Sequence, residues 1–103
     1  MVKVFISQPM NDKTPEEILE ARNRAIQYVM EKYCGEAEII DSYFKDFEEN
    51  KYKNVPLAYL EKSIELLATA DVAVFCKGWK IARGCSIEFQ CAATYGVEVI
   101  TFE

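Results

Sequence analysis

Val72-Ala73-Val74-Phe75-Cys76 is an unbroken apolar run. A strand with one wet face alternates apolar and polar residues. A run with no polar break is the mark of a strand covered on both faces, as inside a parallel sheet flanked by helices. Three further short runs suit strands: Val2 to Ile6, Glu38 to Asp41 around Ile39-Ile40, and Val97 to Phe102. Parallel strands need long crossovers, and helical patterns fill the intervals. The alternation predicts a single α/β domain over residues 1–103, with helices on both faces of a parallel sheet. An apolar fraction of 50% over 103 residues is enough for one modest packed core.

The helices carry their own punctuation. Thr14-Pro15-Glu16-Glu17 is a helix start: Thr14 caps, Pro15 fits the first helical position and Glu17 completes a capping box. Ile18, Ala21, Ala25, Ile26, Val29, Met30 and Tyr33 follow on one face, and Gly35 is a natural stop. Arg22 and Arg24 fall on the solvated side, near Glu residues. Asn54-Val55-Pro56 opens a second helix with a stripe of Leu57, Leu60, Ile64, Leu67 and Ala68. A third helix runs from about Gly84 to Tyr95 and ends at Gly96. Phe44 to Asn54, rich in charge and aromatics, has no clear period and reads as an irregular excursion, a flap or part of a subunit contact.

Charge and cysteines bound the function. A net charge of −5 argues against a nucleic-acid polymer or an anionic membrane as partner, while a local basic spot remains able to take one phosphate. Neither a signal peptide nor an apolar stretch of about 20 residues is visible. The four cysteines lack CxxC spacing and the chain has no histidine, so no structural metal site and no Ser-His or Cys-His unit is expected. Cys76 and Cys91 read as buried residues of a reduced, cytoplasmic protein, and Cys85 sits at a helix start, where thiolates are stabilised.

Ligand sites of parallel sheets form at the C-terminal ends of strands. Three stretches fall there: Ser7-Gln8-Pro9-Met10, Asp41-Ser42-Tyr43, and the loop from Lys77 to Gly84. The residues alone also allow plain βα connections and a turn-forming Asp41. Glu88 is the one carboxylate near the start of the third helix, where the dipole favours an ionised group. Such a carboxylate can attack an anomeric carbon, or simply complement the dipole. Gly84, four residues earlier on the same face, leaves room for a ligand. Ser86 offers a hydroxyl with free backbone N–H groups beside it, and Arg83 suits a phosphate. Trp79, after Gly78, is either an aromatic wall for a base or sugar or an anchor for its loop. Tyr43, Phe47 and Tyr52 are candidates for stacking on a base, or for packing.

Taken together, Ala70-Asp71, the apolar strand, Gly78-Trp79, Arg83-Gly84, Glu88, Ala92 and Gly96 resemble the nucleoside 2-deoxyribosyltransferase-like superfamily, in particular its small bacterial and phage branch. Val4-Phe5-Ile6-Ser7-Gln8-Pro9-Met10 looks like that family's opening strand and sugar-side loop. The resemblance implies a three-layer α/β/α domain with a Rossmann/flavodoxin-like parallel sheet of four to five strands. It implies that Glu88 is the nucleophile on the anomeric carbon of a nucleoside or nucleoside monophosphate, with no cofactor. Ser7, Gln8, Pro9 and Met10, with the loop from Gly78 to Ser86, would enclose the sugar or its 5′ end. Ser86 and Arg83 would hold a phosphate; Asp41, by its place at the end of a strand, can reach a sugar or base or simply form a turn. A homo-oligomer is expected. Three positions depart from the pattern: Phe5 stands for a Tyr beside the nucleophile, Ser63 for an Asp on the second helix that handles the leaving base's proton, and Ala82 for an Asp ahead of the third helix. The expected function is therefore cleavage or transfer at an N-glycosidic bond, with nucleotide or sugar-phosphate binding without turnover as the alternative.

Overall fold

The computed structural model describes residues 1–42 and 48–103. Its elements follow in the order β1 (Val2–Ser7), α1 (Pro15–Lys32), β2 (Ala37–Ile39), a 3-10 turn η1 (Glu49–Lys51), α2 (Val55–Leu67), β3 (Val72–Phe75), α3 (Arg83–Thr94) and β4 (Glu98–Thr101). The strands form one all-parallel sheet in the order β2-β1-β3-β4. β1 and β3 lie at its centre, paired from Val4↔Val72 to Ser7↔Phe75. From β1 the chain moves outward to β2, and from β3 it moves outward to β4 on the other side. The C-terminal ends of β1 and β3 thus flank the point where the strand order reverses, the crevice in which such sheets bind ligands.

The pleat of β1 divides the core. Val4 and Ile6 join Ala25 and Val29 of α1, with Val74 and Cys76. Phe5 turns the other way and joins Leu67 of α2 and Cys85 and Ala92 of α3, with Ala73 and Phe75. One helix on one face and two on the other make three layers, as the alternation of elements predicts. The run 72–76 is buried throughout, which is why it carries no polar residue.

The local signals act as the sequence implies. Thr14 Oγ1 accepts from Glu17 N at 3.1 Å, and Glu17 Oε1 accepts from Thr14 N at 2.9 Å. These bonds hold the exposed Glu17 carboxyl below its ordinary range. Past α1, Cys34 and Gly35 both take positive φ, and Gly35 N donates back to Met30 O at 2.8 Å, closing the helix. Asn54 Oδ1 accepts from Leu57 N at 3.0 Å and starts α2. The two ends of the expected α2 stripe are corrected: Leu57, in the first turn, is 58% exposed, and Ala68, at the C-cap, is also exposed. Ala58 and Leu67 take the buried positions. Asp71 does not cap a helix; its Oδ2 accepts from Lys3 N at 2.8 Å and its own N–H donates to Lys3 O at 2.8 Å, clamping the starts of β1 and β3 together. Among the described residues no helix is long and apolar enough to cross a membrane.

Candidate functional site

Ser7 is the last residue of β1 and shares the pleat face of Phe5, so its side chain points toward α2 and α3. Above it opens a cleft of about 410 Å³. Phe5, Ile6, Ser7, Gln8 and Met10 line it from the end of β1 and the loop after it, with the Ile6 side chain turned to the α1 face. Ser42 contributes from the chain beyond β2, Tyr59 and Ser63 from α2, and Gly84, Cys85 and Glu88 from α3.

Glu88 is the carboxylate of this lining among the described residues, and it is only 7% exposed. Ser7 Oγ, itself 3% exposed, donates to Glu88 Oε1 at 2.6 Å, the short length of a charge-assisted hydroxyl bond. The Ser63 hydroxyl lines the same cleft and also favours the charged form of Glu88. Elements far apart in the chain thus converge on one carboxyl group. Burial pushes its pKa up, the two hydroxyls pull it down by favouring the charged form, and burial prevails. The net push on Glu88 is upward, opposite to the one the helix dipole would give. α3 begins at Arg83, which places Glu88 past the first turn, where the dipole's effect has faded. Cys85 is corrected in the same sense. Its thiol is buried and pushed up by desolvation and by Glu88, with the Ser7 hydroxyl opposing, so the helix start does not yield a ready thiolate.

Of the residues singled out in the sequence, the cleft brings together Ser7, Gln8, Met10, Gly84 and Glu88. The Gln8 amide is spent on structure: its Nε2 donates to Ile18 O at 2.9 Å and ties the loop to α1. A Cβ on Gly84 would meet nothing within 4 Å, as expected of a position facing open space. Six residues fall outside the lining. Pro9 packs on Gly78, where an added Cβ would lie 3.4 Å from Pro9 Cγ and φ is +93°. Trp79 is 9% exposed, stacked on Phe89 at 4.3 Å and 5.8 Å from Phe75. It anchors its loop in the core and is not a wall for the ligand. Asp41 is exposed and leaves the lining to its neighbour Ser42. Arg83 and Ser86 are exposed on the outer side of α3, and the Ser86 N–H is used within the helix by Ala82 O at 2.9 Å. The phosphate-binding pair expected there does not face the cleft. Residues two apart on a helix point about 200° away from each other, so Ser86 and Glu88 cannot share a face.

Tyr59 is a lining residue that the sequence reading passed over, and Ser42 takes the place expected of its neighbour Asp41. Tyr59 had one signal, its spacing of four from Ser63 on a helix. Tyr43 and Phe47 lie outside the described residues; Tyr52 is exposed and off the cleft. No family model matches the chain, and no curated protein matches it.

Proposed function

We propose that the cleft binds a nucleoside or nucleoside monophosphate and that Glu88 acts on its anomeric carbon, cleaving or transferring the N-glycosidic bond. The observation that carries this reading is a buried carboxylate, the one in the cleft lining among the described residues, held by the Ser7 hydroxyl beside an open cleft at the reversal point of a parallel sheet. Hydroxyl donors orient a carboxylate without neutralising it. The Phe5 ring, on the same pleat face as Ser7, gives the cleft an apolar part that suits the face of a sugar or base. In its ionised form Glu88 attacks the anomeric carbon as the base departs, and water or an acceptor base then displaces it. The resemblance of Gly78-Trp79, Arg83-Gly84, Glu88, Ala92 and Gly96 to the nucleoside 2-deoxyribosyltransferase-like superfamily supports the same chemistry, and with it a cytoplasmic homo-oligomer.

The experiment is incubation with a panel of nucleosides, deoxynucleosides and their monophosphates, followed by chromatography for free base. Release that continues undiminished in Glu88→Ala would falsify the nucleophile assignment. Ligand binding without turnover is the second reading. It is favoured by Ser63, a poor acid, meeting Glu88 where an Asp would serve the leaving base. Thermal shifts with the same ligands, in the absence of released base, would decide for it.

A further inference from the structure

Among the described residues, the cleft lining holds one side chain of the acidic and basic types, and it is Glu88. No Lys or Arg joins it there. Arg83 is the neighbour of Gly84 in sequence, yet it is exposed and outside the lining, and Lys80 is paired with Glu103 at 3.6 Å. A 5′-phosphate in this cleft would meet a carboxylate and no counter-charge, whereas a cation would meet its partner. The net charge of −5 over the whole chain has the same sign. Phe5 and Tyr59, the aromatic residues of the lining, are of the type whose ring faces attract cations.

The leaving group points the same way. A neutral nucleobase departs with an electron pair on its nitrogen and needs a proton there. The described lining has no second carboxyl to supply it. The Tyr59 hydroxyl gives its proton to Glu49 Oε2 at 2.7 Å, and Glu49 lies outside the lining. The Ser7 proton is given to Glu88 Oε1 itself. A base that is already cationic needs no proton, because it leaves as a neutral molecule.

We propose that the substrate is a cationic nucleoside without a phosphate, its base a quaternised aromatic ring of the pyridinium type. This rests on the reading of Glu88 as nucleophile and narrows what that nucleophile acts on. In the first step a Glu88 oxygen bonds C1′, the C1′–N bond breaks, and its electron pair neutralises the ring nitrogen. The positive charge thereby moves from the ring toward C1′, where the carboxylate stands to meet it. In the second step a water oxygen bonds C1′, the C1′–O pair returns to Glu88, and the water's proton goes to solvent through the open cleft. The sum is cationic nucleoside plus water giving free sugar, neutral base and one proton. No step calls on an acid in the cleft wall.

The test compares a pyridinium riboside, its 5′-phosphate and a neutral nucleoside. Each rate is divided by the uncatalysed rate in the same buffer, so the greater intrinsic lability of the cation cancels. The acceleration should be at least about a hundredfold larger for the pyridinium riboside than for the neutral nucleoside, the lower end of what a missing general acid costs. The 5′-phosphate should raise KM about tenfold or more, because like charges brought together oppose binding. A smaller ratio of accelerations, or a KM that the phosphate leaves unchanged or lowers, would overturn the cationic substrate while Glu88 stands. If no substrate yields free base, or a cooperatively melting Glu88→Gln keeps the wild-type rate on the pyridinium riboside, the Glu88 reading itself fails and the narrower one with it.

Discussion

Replacing Ser7 by Ala removes one hydroxyl and leaves a buried carboxylate short of a donor. The bond it breaks is 2.6 Å long, between residues 3% and 7% exposed. Hydrogen bonds to charged groups contribute about 1.5–3 kcal/mol, against about 0.5–1.5 kcal/mol for neutral pairs. Ser7→Ala should therefore cost about 1.5–3 kcal/mol where Glu88 is ionised. At roughly 2.1 cal/mol/K of unfolding entropy per residue, a 103-residue domain would melt about 7–14 °C lower. The cost should shrink toward the neutral-pair value as pH falls and Glu88 takes a proton. It should shrink likewise in a Glu88→Gln background, where Ser7 faces an amide. Urea unfolding of wild type, both single variants and the double variant, at pH 5 and pH 8, completes the cycle. A Ser7→Ala cost that is the same at both pH values and in both backgrounds would show that Ser7 does not serve an ionised carboxylate.

Three further expectations follow from the same contacts. Because burial raises the Glu88 pKa in the folded state, the native protein holds the proton to higher pH than the unfolded chain, and wild type loses stability as pH rises from the ordinary carboxyl range through the raised value. Glu88→Gln should then be the more stable protein at pH 8, with the gap closing near pH 4, and wild type proving more stable at pH 8 would refute the assignment. Trp79→Ala, which empties the stack on Phe89 and Phe75, should cost about 3–5 kcal/mol in urea unfolding; a cost under about 1 kcal/mol would mean the ring is not a core anchor. Asp71→Ala should cost about 1 kcal/mol and leave ligand binding unchanged in calorimetry, since its bond to Lys3 lies at the opposite edge of the sheet; weakened binding would contradict that separation.

The fold was legible because it rests on local signals. The unbroken run at 72–76, the Thr14 capping box and the Asn54 cap each act within a few residues, and each appears in place. The face of α3 carrying Gly84 and Glu88 was equally legible, since a spacing of four is a helical constant. Arg83 and Ser86 misled because residue type suggested a phosphate, whereas helical phase turns both outward. Trp79 was undecided in the sequence because an aromatic residue after a glycine suits a ligand wall and a core anchor equally; only the positions of Phe75 and Phe89 settle its place. The direction of the Glu88 shift was beyond reach for a different reason. It balances burial, which raises the pKa, against the hydroxyls of residues 7 and 63, which lower it, and these come from parts distant in the chain.

The contact of Pro9 with Gly78 bears on how a ligand gets in. It joins the loop after β1 to the loop after β3, and Trp79 fastens the latter to α3 through Phe89. The Ser7–Glu88 bond adds a third tie between the same parts. These pieces can move only as one body, so loosening any of them means breaking core packing. The opposite wall, with Tyr59 and Ser63, lies on α2; Leu67 packs the end of that helix into the core, while Tyr59, nearer its start, is tied to η1 by a hydrogen bond to Glu49. Hydrogen bonds of this kind can be exchanged for bonds to an incoming ligand at little net cost. Entry and exit should therefore run along the α2 side, with binding registered as slower amide exchange in α2 and little change in the central strands.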